Sequence, residues 1–195
     1  TSLELSANAM LVAMRQQGVE LLLMRAEPIF TREYNRRIDI TDNKAAVTTE
    51  LTTRRILDLY TTLPYPHLNI VVDRQGGRTH YREILQRVFD GCKMKIHGEA
   101  DAQSSYTLTT SENRIVDITF RTKAENHSLP VALASMLSKY LRELFMELFN
   151  QFWAARNPDL APTAGYYTDG RRFLKDIADD IAELNLPKEI YLRSR

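Results

Sequence analysis

The stretch Leu68–Asp73 (LNIVVD), followed by Arg74–Arg78 (RQGGR), decides the fold class of this 195-residue chain. Its run of Leu, Ile and Val has the length and composition of a buried β-strand. Asp73 then falls at the carboxyl end of that strand, where open α/β sheets commonly bind their ligands. Two glycines permit a tight turn, and the guanidinium groups of Arg74 and Arg78 suit a phosphate-bearing ligand. The stretch therefore predicts a strand that brings a carboxylate and two cations to one edge of a sheet.

Segments with the periodicity of helices and strands lie on both sides of this strand. Helices are predicted at Leu3–Gln16, ending at Gly18, from an N-cap at Thr41–Asn43 to about Leu63, from Thr79 to Phe89, from Ser128 or Pro130 to Trp153, and from Thr168 or Asp169 onward. Further strands are predicted at Val19–Met24, Lys93–His97, Ser105–Thr110 and Arg114–Lys123, with a hairpin turn at Ser111–Asn113. This mixture predicts a single α/β domain over residues 1–195, with a mixed sheet flanked by helices and a helical C-terminal part.

The long helix after Ser128 has two kinds of surface. Its first turns carry small residues, which permit close approach to the sheet or to another backbone. Its later turns are strongly apolar, and we expect them to be core rather than a recognition surface; they contain Leu141, Leu144, Phe145, Leu148, Phe149 and Phe152.

Composition limits the classes of partner and compartment. Hydrophobic residues make up 44% of the chain and charged residues 26%, with a formal net charge of +1, so any nucleic-acid binding must come from local patches. The candidate patches are Arg36-Arg37, Arg54-Arg55, Arg74 with Arg78, and Arg171-Arg172, although paired arginines are usually a solvated helix face. A single cysteine, no export leader and no apolar run of membrane-spanning length predict a cytoplasmic protein without a membrane partner.

Glu125 is the second candidate for chemistry, because it also follows a predicted strand and precedes a helix. If the two strands run in the same direction within one sheet, Asp73 and Glu125 converge at one edge. Two carboxylates at one place predict a site for Mg²⁺ or Mn²⁺. The alternative is structural: Asp73 would cap a turn and pair with Arg78, and Glu125 would favour the amino end of a helix.

Three segments together resemble the ribonuclease HII family. Ala124–His127, followed by Val131–Lys139 and by Arg142-Glu143, is similar to that family's element in which an acidic residue precedes a helix of small residues. Val72-Asp73 resembles its V-D-G motif, and Gly165–Asp169 (GYYTD) resembles its G-Y-P-S/T-D segment. The order agrees over roughly residues 30 to 180.

The resemblance implies a ribonuclease H-like fold and a metal-dependent endoribonuclease. The expected partner is an RNA–DNA hybrid, or DNA with an embedded ribonucleotide. Asp73 and Glu125 would be catalytic and would hold two Mg²⁺ or Mn²⁺ ions together with two carboxylates from a further strand. Nucleic-acid contacts are implied for Arg74, Arg78, Lys139 and Tyr166, the tyrosine lying where ribose meets deoxyribose, and His80 is a candidate for proton transfer.

The chain departs from the family pattern at several positions. Glu125 stands where the family has Asp, Arg74–Arg78 replaces a single Gly, and Tyr167 replaces Pro. The family's opening strand, with its adjacent Asp-Glu pair, has no counterpart in Thr1–Arg15, so we expect the chain to be the later part of a longer polypeptide. The main alternative is a non-catalytic nucleic-acid-binding module. A small-molecule phosphotransfer enzyme is a third class, against which neither G-x-x-x-x-G-K-[ST] nor G-x-G-x-x-G occurs.

Overall fold

The computed structural model describes residues 2–194 and contains seven α-helices and four β-strands within that range. The helices are α1 (Ser2–Gln16), α2 (Thr31–Thr41), α3 (Lys44–Thr62), α4 (Arg82–Val88), α5 (Leu129–Ala154), α6 (Tyr167–Asp176) and α7 (Ala178–Glu183). The strands are β1 (His67–Asp73), β2 (Lys93–Glu99), β3 (Gln103–Thr109) and β4 (Ile115–Arg121), and single 3-10 turns occupy Ala124–Asn126 and Lys188–Ile190.

The four strands form one mixed sheet in the order β1-β4-β3-β2. The segment from β2 to β4 is an antiparallel meander, and β1 pairs with β4 in parallel, so that Asp73 lies opposite Arg121. The predicted α/β class, with a mixed sheet flanked by helices, is confirmed.

One face of the sheet carries the main core. Alternate residues of β3 and β4 are buried, as period-2 geometry requires, and α3 and α4 pack over them. Tyr81, just before α4, stacks on Phe120 of β4 with ring centroids 3.6 Å apart. The buried members of this core are Ile56, Leu68, Ile70, Tyr81, Leu85, Phe89, Tyr106, Leu108, Val116, Ile118 and Phe120.

The other face of the sheet is polar, and we call it the open face. None of its side chains belongs to the main core among the residues described. It consists of His67, Asn69, Val71 and Asp73 of β1, Lys93, Lys95 and His97 of β2, Gln103, Ser105, Thr107 and Thr109 of β3, and Ile115, Asp117, Thr119 and Arg121 of β4.

Two smaller apolar clusters lie outside the sheet. Tyr34, Ile38 and Val47 join α2 to α3, while Trp153, Phe173 and Ile177 join the end of α5 to α6 and the start of α7. The C-terminal residues are tied to α2, because the Asn35 side-chain amide donates to the carbonyl of Leu192 and accepts from the backbone N–H of Ser194.

Several predicted elements are correct to within a few residues. The Asn43 side chain caps α3 by accepting from the N–H of Ala46, as its position before the helix predicts. Gly18 adopts a φ of 64° just after α1, which favours glycine. Asn113, in the predicted hairpin turn, has a φ of 61°.

The prediction of a strand at Val19–Met24 is wrong. This segment has neither helix nor strand structure, and its apolar side chains are exposed, including Leu22 at 51%. An apolar run becomes a strand only where a neighbour accepts its backbone hydrogen bonds, and the four paired strands lie elsewhere in the chain. Thr79 does not cap α4, which begins at Arg82 after Tyr81. Helix α2, at Thr31–Thr41, was not predicted.

The expectation that the later turns of α5 are core is also wrong for most of them. Leu144, Phe145, Leu148 and Phe152 are exposed, whereas Trp153 is the buried residue of this helix. The apolar side chains occupy more of the helix circumference than the C-terminal cluster can cover.

Helix α5, with 26 residues, is the longest helix described, and it contains Lys139, Arg142, Glu143 and Glu147. Within residues 2–194, no helix combines the length and the apolar character that crossing a bilayer requires.

Candidate functional site

Asp73 lies at the carboxyl end of β1 because the preceding Leu, Ile and Val residues form a strand whose even positions enter the core. Its side chain is exposed at the sheet edge, and its Oδ1 atom accepts a hydrogen bond from the backbone N–H of Ala124 at 3.1 Å. This bond fixes one carboxylate oxygen and crosses from β1 to the segment after β4. The neighbouring N–H of Arg74 donates to the carbonyl of Arg121 at 2.8 Å, which extends the parallel pairing by one residue.

Glu125 lies in the 3-10 turn Ala124–Asn126 that follows β4. Lys123, with a φ of 52°, turns the chain out of the strand, and the fully buried Ala124 anchors the turn beneath an exposed Glu125. Because Asp73 accepts a hydrogen bond from the N–H of Ala124, the residue before Glu125, both acidic residues lie at the same edge of the sheet. The condition for their convergence, that β1 and the strand before Glu125 run in the same direction within one sheet, is fulfilled by the parallel pairing of β1 and β4.

The chemistry of these donors suits a hard divalent cation. Asp73 and Glu125 offer carboxylate oxygens, and Mg²⁺ is typically bound through one or two carboxylates while keeping several water ligands. Within residues 2–194, no group of three or more His, Cys, Asp or Glu side chains is arranged to hold a metal ion.

The loop after Asp73 is held at Gln75, whose side-chain amide reaches α3. It accepts from the hydroxyl of Thr49 at 3.0 Å and donates to the carbonyl of Thr48 at 3.1 Å and to the hydroxyl of Thr52. Beyond this anchor the chain turns through Gly77, with a φ of 77°, and the N–H of Arg78 returns to the carbonyl of Gln75.

The two arginines of this loop differ in their surroundings. The guanidinium group of Arg74 donates to the backbone carbonyl of Asp101, and its side chain is only 17% exposed. Arg78 is half-buried behind the glycine turn. Arg74 is thus already bound to the connection between β2 and β3.

His80 contacts the last residue of β2, Glu99, which lies two strands away from β4 at the same end of the sheet as Asp73. Its Nδ1 atom lies 2.8 Å from the hydroxyl of Thr79, and its Nε2 atom lies 3.7 Å from Glu99 Oε2. The other oxygen of Glu99 accepts from the hydroxyl of Tyr106 at 2.6 Å, and that hydroxyl accepts from the N–H of Tyr81. Burial is the larger cause and the hydrogen bond to Glu99 the smaller one of a pKa of Tyr106 far above its ordinary value. This phenol therefore stays neutral.

Tyr166 and Lys139 lie along α5, away from its first turn. Tyr166 is 67% exposed, and the guanidinium carbon of Arg142 lies 4.9 Å from the centre of its ring. Thirteen residues separate Leu129 from Arg142, which is roughly 20 Å along a helix axis at 1.5 Å per residue. Lys139 is exposed one turn earlier. These two residues therefore line the helix at a distance from the turn that carries Glu125.

At least one member of each remaining arginine pair forms ion pairs, as the solvated-face interpretation expects. Arg37 bridges Glu33 and Glu50, Arg55 pairs with Glu27 and Asp58, and Arg172 pairs with Asp169 and Asp176.

A polar chain on the open face was not predicted from the sequence. His67 Nε2 lies 2.7 Å from Asp117 Oδ2, Thr107 donates to Asp117 Oδ1 at 2.5 Å, and His97 Nε2 lies 2.7 Å from Thr107 Oγ1. These four residues come from four different strands. The alternation of polar and apolar residues in each strand could have predicted that these residues share a polar face. Only the strand order, however, brings the four side chains together.

Comparison with known proteins gives no relative for this chain. No protein-family model matches it, and neither the curated proteins nor the solved structures contain a significant match.

Proposed function

We propose that the chain is a ribonuclease H-like domain and acts as a metal-dependent endoribonuclease on RNA paired with DNA, or on ribonucleotides embedded in DNA. The observation that carries the proposal is the bond from the Ala124 N–H to Asp73 Oδ1. It joins the ends of two parallel neighbouring strands and brings two acidic residues to one edge. The resemblance of three segments to the ribonuclease HII family supports the same function.

The chain's own residues would bind and orient the reacting phosphodiester. One oxygen of Asp73 is fixed by a backbone N–H, so the second oxygen is held in a defined direction. Hydrogen bonds of this kind orient the ligands of metal ions in other proteins. A Mg²⁺ or Mn²⁺ ion bound there would act as a Lewis acid and lower the pKa of a water ligand. Arg78 would attract the phosphate backbone near this edge. Lys139 and Tyr166 would contact nucleotides further along the duplex.

His80 has a defined place in this proposal. Its contacts with Thr79 and Glu99 keep its ring at the β2 end of the loop. A proton transfer by His80 would start from this position beside Glu99.

A cleavage assay with matched variants tests the proposed function. We expect the wild-type chain to cleave an RNA–DNA hybrid, or a DNA duplex with one ribonucleotide, in Mg²⁺ or Mn²⁺. Asp73→Asn and Glu125→Gln should each lower the rate by at least about a hundredfold, because each removes a ligand charge. Asparagine still accepts the Ala124 N–H, so the fold of Asp73→Asn should be preserved, and circular dichroism checks this.

Glu112→Gln is the control, because Glu112 is an exposed carboxylate in the hairpin turn at the opposite end of the sheet. Undiminished cleavage by Asp73→Asn would contradict the metal-site assignment.

The second candidate is a non-catalytic nucleic-acid-binding module. The bond between the Ala124 N–H and Asp73 also favours this candidate, because it gives the Asp73 carboxylate a structural role that needs no metal ion. Salt-sensitive binding of the hybrid without cleavage, unchanged by Asp73→Asn, is the result that this function predicts.

A further inference from the structure

The open face of the sheet is a flat polar surface that the main core leaves uncovered. Its centre is rich in hydroxyl groups, because Ser105, Thr107 and Thr119 all lie there in register. Hydroxyls and cationic side chains are the common donors to phosphate oxygens in nucleic-acid complexes. The strands carry no Phe, Tyr or Trp on the open face, so the chemistry that it offers is mainly hydrogen bonding and charge.

The cations of the open face lie near two diagonally opposite ends of the sheet, which we call its corners, although Arg121 stands one strand in from β1. Lys93 and Lys95 are exposed on the edge strand β2, where they pair with Thr109 and Thr107. Arg121 lies on β4 directly opposite Asp73. Among the ion pairs found within residues 2–194, none involves these three side chains, so their charges are available to a partner.

The acid in the middle of the face has hydrogen-bond partners within the sheet. Asp117 accepts from the hydroxyl of Thr107 and contacts His67 at 2.7 Å. Partial burial raises the pKa of Asp117, but the hydrogen bonds with Thr107 and His67 outweigh it and hold the pKa below its ordinary value. Two partners within the face therefore occupy the oxygens of this carboxylate, and among the described residues it forms no ion pair with Lys93 or Lys95.

We propose that the open face binds the phosphodiester backbone of the nucleic acid and guides it from Lys93 and Lys95 to Arg121 at the Asp73 edge. This inference deepens the proposed function and rests on it for the direction of the path. The two corners are separated by two strand spacings and six residues, so the diagonal is roughly 20 Å. At 3.4 Å per base pair, that distance corresponds to about six base pairs of duplex.

Binding in the absence of divalent cations tests the face without cleavage. The probe is a fluorescein-labelled RNA–DNA hybrid in EDTA, with affinity measured by anisotropy over a series of salt concentrations. We expect the double variant Lys93→Gln/Lys95→Gln to weaken binding at least several-fold. The slope of log affinity against log salt should fall in magnitude by about 2, because each lysine would neutralise one phosphate.

The matched control is Arg82→Gln/Arg87→Gln, which also removes two exposed positive charges but lies on α4, across the sheet from the open face. It should leave the slope unchanged. Equal reductions of the slope in both double variants would mean that only total charge matters, and would overturn the proposal, as would unchanged binding by the lysine variant. Arg121→Gln supplies a second reading at the other corner and should reduce the slope by about 1.

Competition separates nucleic acid from other polyanions. Displacement of the hybrid by polyglutamate at equal charge concentration would overturn the assignment to a phosphodiester backbone. The outcomes also distinguish the two proposals. A wild-type chain that binds through Lys93 and Lys95 but never cleaves would contradict the nuclease function while supporting the binding face.

Discussion

Asp169 shows how one carboxylate can organise the turn that presents Tyr166. Its Oδ2 atom accepts from the hydroxyl of Thr163 at 2.6 Å and from the N–H of Ala164 at 2.7 Å, while Oδ1 accepts from Arg172. The bond with Thr163, then those with Arg172 and Ala164, lower the pKa of Asp169 to about 2. Asp169 is therefore ionised and structurally engaged throughout the physiological range.

We predict that Asp169→Asn lowers the thermal midpoint at pH 7, because a neutral amide binds Arg172 and the two donors less strongly. The pKa is depressed in the folded state, so the stabilisation is complete above the unfolded value near 3.9 and disappears as pH falls toward about 2. The difference between wild type and variant should accordingly shrink between about pH 4 and pH 2.

Thermal unfolding followed by circular dichroism at both pH values measures this difference. Asp159→Asn, at an exposed acid in the preceding loop, should show no such pH-dependent difference. An undiminished gap at pH 2 would show that the charge of Asp169 is not the source.

Single residues of the candidate site were predictable where one strand alone determines them. Asp73 follows an apolar run and Glu125 follows another, so their positions at strand ends could be read from the sequence. The Asp117 chain could not, because Thr107 and His67 reach it only through strand pairings between residues 10 and 50 positions apart. The preference of Arg74 for the carbonyl of Asp101 likewise depends on the path of a distant loop.

The loop between β1 and α4 depends on α3 for its position, through a single side chain. Gln75 makes hydrogen bonds with Thr48, Thr49 and Thr52, and its own N–H lies 3.3 Å from the hydroxyl of Tyr81. The glycines that follow have open space around them, so they add little restraint of their own. Gln75 is thus a positioning residue for the arginines beside Asp73.

We predict that Gln75→Ala costs about 1–3 kcal/mol in the free energy of unfolding, the range for losing partly buried hydrogen bonds. Amide exchange should accelerate at Gly77 and Arg78 while β3 and β4 remain protected, because the anchor acts on the loop. Urea unfolding and hydrogen exchange measure the two effects. Gln86→Ala, on the exposed side of α4, is the matched control, and equal acceleration in both variants would refute the anchoring role.

Elements were predictable where local patterns and caps agree. Asn43 and the apolar stripe of α3 both indicate the same helix start, and the turn at Asn113 fixes the β3–β4 hairpin. The Val19–Met24 segment failed because its composition suits a strand, while strand formation depends on a pairing partner that no local pattern specifies. Helix α2 is mostly polar and shows only a narrow apolar stripe, which made it hard to predict.

The part of the molecule that the structure describes has three separate apolar clusters, and the chain's only tryptophan belongs to the C-terminal one. Trp153 is 2% exposed and packs near Phe149 and Phe173. Tryptophan fluorescence therefore reports the packing of α5 with α6, whereas amide exchange in β3 and β4 reports the sheet.

We predict that the C-terminal cluster unfolds independently of the sheet. Phe173→Ala should destabilise the fluorescence transition by about 3–5 kcal/mol, the usual cost of truncating a buried aromatic side chain. Protection of the amides of β4 should remain unchanged.

The reciprocal variant is Ile118→Val, which should cost about 0.5–1.5 kcal/mol in the sheet and leave the fluorescence midpoint unaffected. Coincident shifts of both signals in both variants would mean that the clusters unfold as one cooperative unit.

The parallel pairing of β1 with β4 has a consequence for the order in which the chain folds. The meander from β2 to β4 uses short connections, whereas β1 must wait for a partner more than 40 residues away, as with Asp73 and Arg121. Closing that longer loop costs conformational entropy before any stabilising contact between β1 and β4 has formed. We therefore expect β1 to join a preformed hairpin late, so that replacing Ile70 with Val mainly speeds unfolding while replacing Leu108 with Ala slows refolding. The edge that brings Asp73 to Glu125 would then be among the last parts of the molecule to assemble, and nascent chains would carry no site until folding is nearly complete.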